Sequence, residues 1–297
     1  MKKKIYKVTV CFLLFALIGS SFAFASEDKM NTYSEYAYIE MLEKATDDDL
    51  SKLCLTREAS DKIVKEYYTT LKTRGQMTNK QLEGFGYSKK EIELLKSYSA
   101  GKRITGNELK ALSATCSGTL EVRGCGNKEA QFFYHWNWDK CPAITMTDTV
   151  GVAWNALDSD LETIGLIKTV TRSVNYYYGS TLVNIATGQI PTGINNNLDG
   201  TKITMLELYS MSDHPEYKYA KSGYVSVRLK CHPNVNAIIS HIHISCEYGH
   251  MTLGVGAPSI SVSMSSMAPS ISFSIVGKIT KMSGAAIHDS VIYSDGH

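Results

Sequence analysis

From residue 117 to the C-terminus, apolar and polar residues alternate in short runs that are rich in β-branched and aromatic side chains. Gly, Asn, Asp or Pro bounds each run, which is typical of strands separated by turns. The predicted strands cover residues 119–123, 130–138, 149–157, 166–178, 203–210, 224–231 and 237–247, followed by a serine-rich stretch. Because no helical period separates them, the pattern predicts a mainly antiparallel β-sandwich or open barrel.

The preceding segment, residues 26–115, has a helical period instead. Its clearest helix covers residues 57–72 and is stopped by Gly75, and Ser88 with Glu91 forms a capping box that opens another. Thr46 precedes three aspartates, which favour the first turn of a helix. We therefore expect an α+β chain with residues 1–25 as a leader, 26–115 as a small helical segment and 116–297 as a β domain.

Aromatic residues concentrate in the predicted strand at 130–138. Its period of two places Phe132, Tyr134, Trp136 and Trp138 on one face and residues 133, 135 and 137 on the other. The simplest interpretation is that the first group forms the core of the sandwich. An alternative is that Trp136 and Trp138, with Trp154 of the next strand, form an exposed platform that binds sugar rings.

An eight-residue motif, which we call a phrase, occurs twice near the C-terminus, at residues 257–264 and 268–275. In both copies apolar residues alternate with serine. Between Glu247 and Lys278 there is no charged residue if histidine is neutral. The pattern predicts two neighbouring strands with the apolar face inward and a serine ladder outward. The apolar positions that we expect to be packed are Ile260, Val262, Ile271 and Phe273.

The same stretch, taken as residues 253–280, resembles the membrane-inserting hairpins of β-pore-forming toxins, in which small polar residues face the lumen and apolar ones face lipid. A spanning strand needs about nine to eleven residues. Each phrase has eight, and Pro258 and Pro269 each lack a backbone donor at the start of a phrase. A membrane-active role is therefore an alternative to a packed pair of strands.

The N-terminus predicts export. Four lysines precede an apolar run over residues 8–18, and Ala23-Phe24-Ala25 is a small-x-small cleavage site. We expect a secretory signal peptide removed after Ala25, giving a secreted or extracellular protein. Removal of these four lysines from 31 basic and 29 acidic residues leaves 27 against 29, a formal net charge of −2. Nucleic acid is therefore not an expected partner, since its binding requires a basic surface.

Six cysteines remain after cleavage, and an even number in an exported chain favours disulfides. Six cysteines allow fifteen connectivities. The predicted strands on either side of the turn near residues 233–236 favour a Cys231–Cys246 pair, and similar reasoning favours Cys125–Cys141. Cys54–Cys116 would then tie the helical segment to the strands.

Histidines are the most specific polar group of the C-terminal third. His241 and His243 lie two apart on a predicted strand and share a face, and His232 is a third candidate ligand. Two imidazoles on one strand with a third ligand suit zinc or copper. A sheet also tolerates such histidines without metal, and no zinc-protease, P-loop, nucleophile-elbow or dinucleotide motif is present. We therefore expect no cofactor.

Long connections are predicted at residues 188–200 and 212–222. The layout as a whole is similar to uncharacterised secreted proteins of Gram-positive bacteria, and the likeness spans most of the mature chain. It is carried by residues 86–92, by Trp136-Asn137-Trp138, by the run 148–154 and by the serine-rich tail. The resemblance implies export and no particular activity.

The first functional hypothesis is an exported, non-enzymatic binding or interaction protein, whose partner is an unknown extracellular, cell-envelope or glycan ligand. A membrane-active or pore-forming protein is the second hypothesis. A metal-dependent hydrolase that uses the histidine group is the third.

Overall fold

The structure is a computed structural model that describes residues 30–292, apart from 54, 125–127, 163, 191–198, 207, 212–213, 235, 237, 254–258, 266–267, 275–277 and 282–286. Side chains are described as far as Thr252, except for residues 189–217 and a few single positions. The chain is a helical segment followed by mainly antiparallel β-sheet, as the sequence pattern predicts. In the described residues, no helix combines the length and apolar composition needed to cross a membrane.

The helical segment begins with a short strand that the sequence pattern does not predict, β1 (Met30–Ser34). The helices are α1 (Glu35–Lys44), α2 (Asp47–Lys52), α3 (Arg57–Arg74), α4 (Asn79–Gly84), α5 (Lys89–Ser99) and α6 (Gly106–Leu112). Capping boxes open α2, α4, α5 and α6, and the predicted box of Ser88 and Glu91 is confirmed at α5. These caps satisfy backbone N–H groups that would otherwise have no partner in short helices.

The remaining strands are β2 (Thr115–Gly124), β3 (Glu129–Trp138), β4 (Thr147–Leu157), β5 (Leu166–Tyr178), β6 (Thr181–Ile190), β7 (Asp199–Leu206), β8 (Leu208–Met211), β9 (His214–Cys231), β10 (His241–Leu253), β11 (Ser259–Ser265), β12 (Ala268–Ser274), β13 (Lys278–Lys281) and β14 (Ile287–Ile292). The connection predicted at 212–222 is thus mostly strand, because β9 begins at His214 and pairs with β8. The connection predicted at 188–200 includes the ends of β6 and β7, and residues 191–198 lie outside the described residues.

The strands form three sheets, and all the pairings described are antiparallel. The large sheet has seven strands in the order β1-β2-β3-β9-β5-β6, with β8 beside β9. The small sheet has five strands in the order β13-β10-β4-β7, with β14 also beside β10. The third sheet is the pair β11 and β12, here called the serine ribbon, and it lies against β4 and β10 of the small sheet.

The large and small sheets pack face to face, and β3 supplies the centre of their core. Its burial alternates, so that Phe132, Tyr134, Trp136 and Trp138 are buried while their neighbours face outward, which confirms the predicted faces. The rings of Phe132 and Trp154 lie 6.0 Å apart between centroids, and those of Trp136 and Tyr248 also 6.0 Å. These edge and tilted contacts join β3 to β4 and β10.

One of the places where the helical segment is held to the sandwich is the loop of residues 139–146, which follows β3. Another is the turn after β5, where the Tyr178 hydroxyl donates to the carbonyl oxygen of Lys80. The buried guanidinium of Arg74 donates to the carbonyl oxygens of Cys141 at 2.9 Å and Pro142 at 2.5 Å. Glu35, also buried, accepts from the backbone N–H of Ala143 at 2.8 Å. Lys140 forms an ion pair with Glu91 of α5. One hydrophobic core consequently runs through helices and sheets.

The predicted Cys231–Cys246 disulfide, the pair whose two cysteines the structure describes, is wrong. Cys116, Cys141, Cys231 and Cys246 are buried thiols and form no disulfide. Cys231 ends β9 in the large sheet, whereas Cys246 lies within β10 of the small sheet. The two strands do not form the hairpin on which the Cys231–Cys246 prediction rests, because the chain changes sheets between them.

For each of the other two predicted pairs the structure describes one cysteine, Cys141 or Cys116, and neither forms a disulfide. Gly124 pairs with Ala130 at one end of β3, and Cys141 follows the other end, about 30 Å away for a ten-residue strand. The end of β2 at Gly124 is therefore much farther from Cys141 than the roughly 7 Å between Cα atoms that a disulfide can bridge. Cys54 and Cys125 lie outside the described residues. Burial raises the pKa of Cys246 well above its ordinary value, which makes this thiol unreactive.

Candidate functional site

A cleft of about 500 Å³ opens on the surface of the helical segment, and we call it the tyrosine cleft. Its walls come from α1, α3, α5, the turn that follows α5 and the first turn of α6. Three tyrosine rings line it, one from each helix: Tyr36, Tyr68 and Tyr98. The charged residues that line it are Glu40, Glu43, Lys44, Lys72, Lys102 and Arg103. A concave site lined by aromatic rings and a few charges is the usual form of a small-ligand pocket.

The turn that forms one rim of the cleft is built by a helix-ending glycine. Gly101 has φ of 94°, a left-handed conformation that costs a glycine little. Its N–H donates to the carbonyl oxygen of Tyr98, and the N–H of Lys102 donates to that of Ser97, both at 3.0 Å. This is a Schellman motif. The motif ends α5 and reverses the direction of the chain, and Lys102 and Arg103, which follow it, line the rim of the cleft.

The acids of the cleft are already partnered. Glu40 accepts a hydrogen bond from Lys44 at 2.7 Å, and this bond lowers the pKa of Glu40. Glu43 accepts from the hydroxyl of Tyr68 at 2.9 Å. Burial, and then this bond to a carboxylate, raises the pKa of Tyr68 well above its ordinary value. The Tyr68 hydroxyl therefore stays protonated and keeps its ring fixed in the wall.

The remaining cations have no such partner. Within the described part of the chain, Lys72, Lys102 and Arg103 form no ion pair, although Lys102 interacts electrostatically with Glu108, and all three are exposed. Counting Lys44, the cleft carries four cations against two carboxylates, a formal charge of +2. The mature chain as a whole is expected to carry a net charge of −2, so the cleft is a local positive region. Guanidinium and ammonium groups beside aromatic rings suit an anionic ligand with flat, partly apolar faces.

A second exposed feature lies on the outer face of the large sheet, and we call it the outer-sheet patch. It consists of Glu121, Arg123, Phe133, His135 and Tyr224. The Phe133 and His135 rings stack with centroids 5.9 Å apart, and the Arg123 guanidinium lies 4.5 Å from the Phe133 centroid. Glu121 forms an ion pair with Arg123 at 2.6 Å. The charges of this patch therefore pair with each other, which leaves less for a ligand than in the cleft.

The tryptophans proposed as a sugar platform lie elsewhere. Trp136, Trp138 and Trp154 are 2%, 0% and 1% exposed. They point between the sheets because the period of two directs them to the face that the small sheet covers. The rings that do face solvent on this strand are the intervening ones, Phe133 and His135.

The histidine group is only partly assembled. His241 and His243 share the face of β10 that points away from the large sheet, since Ile242 and Ile244 are buried between the sheets. Burial and then the charge of His241 lower the pKa of His243. His232 lies in the turn after β9, where its Nδ1 accepts from the N–H of Asn234 at 3.4 Å. Among the described residues, no three His, Cys, Asp or Glu side chains are grouped to hold a metal.

A buried polar network, which the sequence analysis did not identify, lies at the edge of the aromatic core. Asp148 accepts from the Tyr248 hydroxyl at 2.5 Å and from the N–H of Met251 at 3.0 Å, and faces Nδ1 of His250 at 3.1 Å. Trp138 donates its indole N–H to the Tyr248 hydroxyl at 3.1 Å. Asp148 and His250 are fully buried on neighbouring strands of the small sheet, so this dyad does not face solvent. The bond from Trp138 to Tyr248 links the network to the large sheet.

The predicted strands of the serine-rich repeat are present as the serine ribbon. Ile260 pairs with Phe273 and Val262 with Ile271 in an antiparallel register. The expectation that these four side chains are packed concerns side chains outside the described part of the structure.

Comparisons with known proteins give no family for this chain. No protein-family model matches it, and no curated protein matches it. One solved structure that matches part of this chain is that of AvmM, which catalyses macrocyclization in alchivemycin A biosynthesis. The TM-score is 0.31 and the identity 12%, over 61% of this chain and 90% of that chain. A similarity of this size supports no conclusion about function.

Proposed function

We propose that this chain is an exported binding protein whose tyrosine cleft binds an acidic glycan of the cell envelope. One observation carries the proposal: three cations at the cleft have no ion-pair partner among the described residues, beside three tyrosine rings. An acidic saccharide has groups that complement both the cations and the tyrosine rings. Its carboxylate or phosphate groups suit Lys72, Lys102 and Arg103, and its ring faces and hydroxyls suit the tyrosines.

Two other features of the cleft support this ligand class. The carboxylates that line it already accept hydrogen bonds from Lys44 and Tyr68, so they do not compete for the three cations. The walls are also held by helices with strong caps, so little ordering is needed on binding. Export rests on the N-terminal leader, since a secreted protein meets such polymers at the cell surface.

The test uses isothermal calorimetry with the mature chain, residues 26–297. Oligogalacturonate is the acidic probe, and a neutral malto-oligosaccharide of equal length is its control. We expect binding of the acidic probe that weakens as salt rises from 0.05 to 0.5 M, since exposed charges are screened. Binding of both probes with equal affinity, or of neither, would overturn the proposal.

Variants locate the binding site. Lys72→Ala and Arg103→Ala should each weaken binding of the acidic probe by about tenfold, equivalent to roughly 1.4 kcal/mol. Lys62→Ala is the matched control because Lys62 is exposed on the same helix as Lys72 and does not line the cleft. Equal effects of Lys62→Ala and Lys72→Ala would place binding outside the cleft.

The predicted export of the chain is tested separately from ligand binding. A secreted chain with Ser26 as its first residue, identified by mass spectrometry of the culture medium, is the expected result. An intact leader on cell-associated protein would contradict it.

A further inference from the structure

We call residues 139–146 the anchor loop, because this loop contacts all four helices that line the tyrosine cleft. Those helices are α1, α3, α5 and α6. Glu35 of α1 and Arg74 of α3 bond to the backbone of the loop. Lys140 of the loop forms an ion pair with Glu91 of α5 and also donates to a carbonyl oxygen of α6 at 2.6 Å. The contacts of this one loop therefore bear on every helical wall of the cleft.

Glu35 is the anchoring side chain that lies next to a cleft residue in sequence. It is the first residue of α1 and is 3% exposed, and Tyr36, whose ring lines the cleft, follows it. One carboxylate oxygen accepts from the N–H groups of Ala143 at 2.8 Å and Ile144 at 3.3 Å. The other accepts from the N–H of Ala114 at 2.9 Å, just before β2. These bonds fix the first turn of α1 to the anchor loop.

The ring of Tyr36 transmits the position of α1 to the cleft. A Cβ added to Gly106, the first residue of α6, would lie 2.9 Å from the Tyr36 hydroxyl oxygen, so the two helices meet closely at this point. Close-packed contacts of this kind leave no slack. A small displacement of the first turn of α1 would consequently change the space between Tyr36 and the α6 wall.

Ionisable groups of both halves of the protein face Glu35. They are Arg74 and Tyr67 of α3, Tyr87 between α4 and α5, and His250 of β10, with Asp148 of β4 beside the His250 ring. Burial raises the pKa of Glu35 above its ordinary value, and the charge of His250 opposes this rise by less. Burial also raises the pKa of Tyr87 to about 12 and that of Tyr67 further, so both stay protonated. An arginine keeps its charge in proteins, which leaves Glu35 and His250 as the candidates for a change of charge near neutral pH.

The direction of a pH effect at Glu35 follows from its burial. With α1 docked the carboxyl is buried and binds a proton more readily than it would in water, were α1 displaced. Docking of α1 is therefore strongest below the ordinary pKa of a glutamate and weakens as pH rises through the raised pKa of Glu35. A ligand that needs the docked wall loses apparent affinity in proportion to the docked fraction. Acid should consequently strengthen binding in the cleft.

From this geometry we infer that Glu35 is a positioning residue for the tyrosine cleft and makes its affinity for an acidic ligand depend on pH. This role rests on the proposed function, because it concerns the affinity for the same ligand. The cleft itself gives no reason for such a dependence between about pH 5.5 and 8. Among the described residues that line it there is no histidine, and glutamate, lysine, arginine and tyrosine side chains ordinarily titrate outside this range.

Calorimetry of the mature chain with oligogalacturonate, at about pH 8 and about pH 5.5, tests this role. Carboxylic acids titrate near about pH 4, so the probe stays ionised throughout. The parent should bind about fivefold more tightly at the lower pH. Glu35→Gln carries no charge at either pH and should bind with the same affinity at both. Gly223→Ala, whose new Cβ would meet Trp136 and Ser173 of the large sheet, controls for general destabilisation and should keep the parent's dependence on pH.

The possible failures of this experiment are distinguishable. Equal affinity of the parent at both pH values would overturn the role of Glu35 and leave the proposed function standing. A pH dependence that persists in Glu35→Gln would place the titrating group at His250 or elsewhere, which also overturns the role of Glu35. Absence of binding at both pH values would overturn the proposed function, and this role with it.

A measurement on the parent without ligand decides the matter if Glu35→Gln does not fold. Hydrogen exchange over residues 35–44, corrected for the intrinsic effect of pH on exchange, reports the docking of α1 directly. These residues should be better protected at about pH 5.5 than at about pH 8. Equal protection at the two pH values would overturn the role of Glu35.

Discussion

The stability of the sandwich should depend strongly on Asp148. This carboxylate is fully buried and is the common acceptor for three groups: the Tyr248 hydroxyl, the Met251 N–H and Nδ1 of His250. Asp148→Ala leaves these groups in a dry core without that acceptor. Each buried donor left unsatisfied costs about 1–3 kcal/mol.

The three losses do not simply add. Tyr248 still contacts the indole N–H of Trp138, and local relaxation recovers part of the cost. We therefore expect Asp148→Ala to lower the free energy of unfolding by about 3–6 kcal/mol, out of the roughly 5–15 kcal/mol typical of a folded protein. Asp148→Asn keeps the shape and one acceptor oxygen, so its cost should be about 1–3 kcal/mol.

Urea unfolding followed by tryptophan fluorescence measures these free energies, because all three indoles of the protein are buried. Asp160→Ala, at an exposed turn position, is the control and should stay within about 0.5 kcal/mol of the parent. A loss of less than about 1 kcal/mol for Asp148→Ala would refute the network as a major source of stability.

Three further predictions concern packing, pH and thiols. A Cβ on Gly223 would lie 2.4 Å from the carbonyl oxygen of Ser173, so Gly223→Ala should lower the melting temperature by several degrees, roughly the effect of 1–3 kcal/mol, while Gly165→Ala, in open space, should not. Burial raises the pKa of Glu91, but hydrogen bonds from its lysine partner and its helix cap outweigh this and lower it. The resulting stability is present above the unfolded pKa and is lost as pH falls through the folded pKa. The parent should therefore exceed Glu91→Gln by about 1–3 kcal/mol at pH 7 and lose this advantage in acid, whereas a difference independent of pH would contradict the charge. Titration of denatured, unreduced protein should find at least four thiols, and fewer would contradict the buried cysteines described above.

The sequence predicts the elements whose signal is local. Alternation over 130–138 identifies the buried face of β3, because the side-chain period of a strand does not depend on its partners. The capping box of Ser88 and Glu91 is equally local, since both partners lie within one helical turn. The serine repeat likewise predicts two adjacent strands, and β11 and β12 are such a pair.

The errors concern how distant segments come together. The Cys231–Cys246 prediction assumed that strands on either side of a turn pair with each other, whereas β9 and β10 belong to different sheets. Burial explains why these thiols persist without pairing. The Asp148 network was missed because its members lie about a hundred residues apart.

The tyrosine cleft was also beyond reach of sequence reasoning. Tyr36, Tyr68 and Tyr98 lie on three different helices about thirty residues apart, and each on its own looks like one apolar position of an amphipathic helix. Only the packing of α1, α3 and α5 brings them to one cavity. The rim cations carry no local signal either, since exposed lysines and arginines are common on helical surfaces.

Hydrogen exchange of the mature protein with and without oligogalacturonate tests the proposed function most directly. We expect slower exchange in the peptides that line the cleft, residues 35–44 and 96–106. We expect no change over residues 129–138, which carry Phe133 and His135 of the outer-sheet patch. Protection confined to the outer-sheet patch, or absent from both regions at a concentration that saturates binding, would contradict it.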